Sequence, residues 1–123
     1  MSTLQERLNE CGPLVEALCG ALGGEIAKLG FPPGSVCVGA ADAAIYRLDS
    51  DPSDGTQSLC GEWRDARGQR LGMLVCHADG SCYAEHDVVR VHPRDGRWFV
   101  EAVHAWGRGG RICAEPRLMP MVS

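Results

Sequence analysis

The chain reads as an α+β protein: an N-terminal helix packed on an antiparallel β-meander of about five to six strands. Three observations carry this reading. Apolar residues recur at steps of three and four over the first thirty positions. After Pro33 the period becomes that of strands, and from Asp65 onward Asp-Gly and glycine-rich turns punctuate β-rich runs.

The helix comes first. Leu4, Leu8, Cys11, Val15, Leu18, Leu22, Ile26 and Leu29 trace one apolar stripe. Thr3 is placed to cap its start, with Glu6 three residues on completing a capping box, and Gly30 before Pro32 and Pro33 is the stop. Gly12-Pro13 interrupts the stripe without changing its phase, which predicts a kink there, or two short helices over 4–11 and 14–29 on the same surface.

Strands follow. Ser35–Val38 and Ala43–Leu48 are short candidates, and the aspartate-rich stretch 49–55 is a loop by composition. Longer strands are expected at 57–64, 70–78, 81–92 and 97–107, with a last one at 111–115 and a tail at 116–123. Asp79-Gly80 and Asp95-Gly96 are hairpin signals, because both central positions of a type I′ turn need positive φ. Two-residue turns there place His77 opposite Cys82, Cys76 opposite Tyr83, and Asp87 opposite His104. Alternation then gathers Trp63, Tyr83, Glu85, Asp87, His104 and Trp106 on one face, and gives both faces apolar residues.

Length and composition bound the function. A chain of 123 residues, 45% hydrophobic and 23% charged, fits one globular domain over 1–123. The formal charge of −4 argues against nucleic-acid binding, which draws on phosphate neutralisation. The charge is uneven, since residues 63–123 hold nine arginines against seven acids and the first half is acidic. No apolar run is long enough for a membrane span, and Met1–Glu10 lacks the character of an export signal. With seven cysteines and no C-x-x-C pair, these features point to a reducing, cytoplasmic setting in which most thiols fill core space.

Among the chemical constellations, Asp87–His104 is the sharpest. An aspartate across from a histidine orients the imidazole for acid–base work, and Trp63, Tyr83, Glu85 and Trp106 would line a ligand pocket around it. The blander reading is an ordinary cross-strand ion pair. Cys76, His77, Cys82 and His86 offer zinc-type ligands, but Cys76 points away from the other three in this register, so no metal and no cofactor is expected. The stretch Asp49–Gly55 fails as a calcium loop, with Gly55 one place late and Cys60 where glutamate is needed. Gly107–Gly110 lacks the strand-to-helix context of a phosphate cradle. The expected function is therefore a small non-catalytic binding or interaction domain using its sheet face, with a protein or a small molecule as partner and self-association favoured by the two apolar faces. The alternative is a small enzyme built on Asp87–His104.

Overall fold

The computed structural model describes residues 3–43 and 45–122. One helix, α1 (Leu4–Leu29), is followed by a 3-10 turn at Ala40–Asp42 and six strands. These are β1 (Ile45–Ser50), β2 (Gln57–Arg64), β3 (Arg70–Cys76), β4 (Ser81–Val91), β5 (Trp98–Arg108) and β6 (Arg111–Pro120). Each strand pairs antiparallel with the next, giving one open sheet in chain order with β1 and β6 as its edges. The α+β architecture read from the sequence is the one observed. No helix among the described residues is long and apolar enough to cross a membrane.

The helix runs as one element through Pro13 and is not split in two there. Proline removes one helical donor and leaves the Asn9 carbonyl unanswered. Asn9 and Pro13 both lie on the exposed side, where water takes the free carbonyl, so the interruption is cheap. The apolar stripe keeps both halves on the sheet: Cys11, Val15, Leu18, Cys19, Leu22, Ile26 and Leu29 are all buried. Burying a leucine such as Leu18 or Leu22 contributes about 1.5–3 kcal/mol. Thr3 caps the start by accepting the Glu6 N–H through Oγ1, and Gly30 ends the helix in the left-handed conformation (φ 102°).

Ser35–Val38 is an irregular loop, although strand was expected. Ser35 N–H bonds to the Pro32 carbonyl and the Cys37 thiol to the Gly34 carbonyl, while the Ser35 carbonyl accepts from the Arg90 side chain, so the segment joins no ladder. The loop drops Phe31, Val38 and Ala43 into the core. At the other end β6 runs on to Pro120, so residues 116–120 continue the sheet instead of forming a tail.

The hairpin registers differ from expectation, by one residue between β3 and β4 and by two along most of β4 and β5, and these steps rearrange the faces. His77 N–H bonds to the Ser81 carbonyl and Gly80 N–H to the His77 carbonyl, closing the loop over 78–80 with Gly80 at φ 87°. This is a type I turn with a left-handed glycine bulge, where two residues were expected. Cys76 consequently faces Cys82 and Val75 faces Tyr83. Around the next turn His92 N–H bonds to the Trp98 carbonyl, leaving 93–97 as the loop. Glu85 then stands opposite His104, and Ala102 opposite Asp87.

Candidate functional site

The sequence gathers six side chains on one face; the structure divides them between two surfaces. On the face turned away from α1, β4, β5 and β6 bring together Tyr83, Glu85, His104 and Trp106. Tyr83 pairs across the strands with Trp106, and Glu85 with His104. The Tyr83 hydroxyl donates to Glu85 Oε2 at 3.0 Å, and Arg117 reaches the same carboxylate at 3.6 Å. His104 Nε2 lies 3.0 Å from Glu115 Oε1, so its carboxylate neighbour comes from β6 and not from Asp87. The imidazole also meets Tyr83 edge-on at 6.2 Å and Trp106 at 5.2 Å. Burial first, and then the Glu85 carboxylate, hold the Tyr83 phenol above its ordinary pKa. Tyr83, Glu85, Arg117, His104 and Glu115 thus answer one another across the three strands.

Trp63 and Asp87 are elsewhere. Trp63 is 2% exposed, on the helix side of the sheet, and its indole N–H donates to the Gly39 carbonyl at 3.1 Å. Both residues line a cleft of about 470 Å³ between the loop after α1 and the middle strands. Its apolar walls are Trp63, Val36, Leu71 and Val88. A larger hollow of about 690 Å³ beside the 51–56 loop is more open. Its aspartate, Asp51, already accepts the Ser53 N–H and hydroxyl.

His86 is the residue of the cleft that sequence reasoning misplaced. It is 4% exposed and lies edge-to-face on Trp63, with centroids 5.6 Å apart and planes at 65°. Its Nδ1 sits 2.7 Å from the Asp87 carbonyl oxygen, which only accepts, so Nδ1 carries the proton. Burial holds its pKa below the ordinary 6.5, with the Asp87 carbonyl pulling weakly the other way. The ring is thus a neutral imidazole with its lone pair on Nε2. Gly72 makes this position available: a Cβ there would lie 2.4 Å from the Glu85 carbonyl oxygen and 3.2 Å from His86 Cδ2.

Two further features mark the cleft. The Ser35 hydroxyl oxygen is buried and has no hydrogen-bond partner, an arrangement that costs about 1–3 kcal/mol. At the rim, β4 carries a bulge beyond Asp87, where Val89 sits at φ 52°. A β-branched residue in the left-handed region is strained by about 1–3 kcal/mol, and such strain concentrates where a site is shaped. The signal for this bulge in the sequence is nil, since Val88-Val89 reads as ordinary strand.

The zinc-type ligands do not converge. Cys76 and Cys82 are buried in the core under α1, His77 is at the hairpin end against the Ser58 hydroxyl, and His86 stands in the cleft. Among the described residues no group of three or more histidine, cysteine, aspartate or glutamate side chains is arranged to hold a metal ion. No family model matches the chain, and neither the curated proteins nor the solved structures contain a significant match to it.

Proposed function

We propose that the chain is a non-catalytic binding domain whose site is the cleft between the 35–42 loop and β2–β4. The observation that carries this is His86: a buried, neutral imidazole at a cleft wall, with one nitrogen committed to a backbone carbonyl and the other without a hydrogen-bond partner among the described residues. A concave apolar pocket with few polar groups is the usual form of a small-molecule site, and about 470 Å³ lies within the usual size range. The reading favours binding over acid–base catalysis because the Nδ1 partner is a carbonyl. A carboxylate in that place would raise the basicity of the ring. It also favours the cleft over the outer sheet face, where Tyr83, Glu85, His104, Glu115 and Arg117 answer one another.

Protein-observed NMR with a library of uncharged fragments tests this. Shifts are expected at the Trp63 indole N–H and at the amides of Leu71, His86 and Val88, and their loss in Leu71→Trp, whose larger side chain fills the cleft. Shifts that cluster around Trp106 and Tyr83 instead, or no shifts at millimolar fragment, would overturn the proposal.

A further inference from the structure

We infer that the cleft selects a non-anionic ligand with a flat apolar body and one N–H or O–H donor, an aromatic amide or phenol in chemical class. This rests on the reading of the cleft as a binding site and adds what that site prefers. The donor requirement follows from His86. With its proton fixed on Nδ1 by the Asp87 carbonyl, the ring offers an acceptor at Nε2 and no donor. Burial opposes protonation, so the ring does not turn into a donor at neutral pH.

The exclusion of anions follows from the charges around the walls. Two carboxylates, Asp42 and Asp87, stand against two guanidiniums, Arg64 and Arg90. Arg64 is already neutralised by Glu62, with its NH2 2.6 Å from Oε2. Arg90 donates to the Ser35 carbonyl at 3.1 Å, and Asp42 accepts the Gly39 N–H at 2.9 Å. With Arg64 taken up, the wall keeps two carboxylates against one guanidinium, so an entering anion loses its hydration and finds no net counter-charge. A neutral ring gives up little water and covers Leu71, Val36 and Val88.

The test is a matched series of probes of nearly equal size: benzamide (neutral, donor), benzoate (anion), benzamidine (cation) and anisole (neutral, no donor). Each is titrated into the full chain while the Trp63 indole N–H and the cleft amides are followed by NMR. Benzamide is expected to bind about fivefold more tightly than anisole, the worth of one neutral hydrogen bond, and more tightly than benzoate. His86→Phe keeps the ring volume and removes the acceptor, so benzamide falls to the level of anisole. His86→Gln, which retains an acceptor, keeps part of the preference and serves if the phenylalanine variant does not fold. If all four probes shift the cleft equally, or benzoate binds best, the ligand class is wrong while the cleft remains a binding site. If none shifts the cleft, the binding reading itself is lost.

Discussion

The imidazole of His86 rests edge-to-face on the indole of Trp63, two side chains that come from strands separated by β3. Gly72 lies between them in the sheet, Cα partner to Trp63 on one side and His86 on the other, and its missing side chain lets the rings meet. The pair ties the cleft to the core, because Trp63 is at once a cleft wall and part of the cluster under α1.

His86 gives stability a defined pH dependence. Its folded pKa lies below 6.5, so as pH falls through 6.5 the unfolded chain takes up a proton before the fold does. Stability is full above 6.5, declines as pH drops from there toward the folded value, and levels off beneath it. Above 6.5 the ring is neutral in both states and contributes no slope. Urea midpoints at pH 7.5 and 5.0 for the parent chain and for His86→Phe check this. The parent is expected to lose more stability between the two values; equal losses would show that His86 titrates normally.

The thiols divide sharply. Cys37 and Cys113 are exposed, and the remaining cysteines are buried. Burial pushes Cys76 up to about 12, and Cys19 and Cys60 to about 11, with Glu16 reinforcing Cys19 and Asp49 reinforcing Cys60. At pH 8 a thiol of pKa 12 is thiolate only about 10⁻⁴ of the time, and thiolate is the reactive form. Mass spectrometry after a brief pulse of iodoacetamide is expected to show labels at Cys37 and Cys113 alone, and at all seven positions in urea. Early labelling of Cys76 or Cys82 would refute the buried arrangement.

How much of this was legible in the sequence follows from where the information sits. The helix and its caps are local, and a stripe that keeps phase across Gly12-Pro13 is itself evidence that one surface is being covered. The β2 limits, 57–64, are read correctly because alternation and the flanking turns agree. Register is another matter. The sequence Asp79-Gly80 suits a two-residue turn and also a longer loop with glycine in the left-handed place, and the choice between them turns every later side chain over. That is why Tyr83, Glu85, His104 and Trp106 stay together while Trp63 ends on the opposite face. The cleft is less legible still. Its walls come from the 35–42 loop and from β2, β3 and β4, which no local pattern connects.

The strain at Val89 is removable. Glycine adopts φ near 50° without the clash a β-branched side chain suffers, and Val89 is 61% exposed, so little burial is lost. Val89→Gly is expected to leave the fold unchanged and raise its stability by about 1 kcal/mol, the strain relief outweighing glycine's greater unfolded-state entropy. Thermal denaturation reads the sign. A drop in melting temperature would mean that the valine side chain holds the bulge in place by contacts that exceed its strain.

The two edges of the sheet are not equivalent. In β6 the odd-numbered residues direct their N–H groups at β5, as Met121 shows by donating to the Arg97 carbonyl at 2.8 Å. Even-numbered residues therefore point their amide nitrogens outward, at Ile112, Ala114, Pro116, Leu118 and Pro120. Proline has no N–H to offer, so the outward edge loses its donors at 116 and 120, which fits a device against pairing with another sheet. Replacing both prolines by valine restores a continuous row of donors along the far half of an exposed strand. The double variant Pro116→Val, Pro120→Val is expected to keep the fold, since neither nitrogen serves the ladder to β5, and to self-associate more strongly than the parent. Sedimentation velocity at matched concentrations measures this directly. An unchanged monomer–oligomer balance would show that something other than the prolines keeps the β6 edge apart, while a less associated variant would mean that the parent already pairs through this edge.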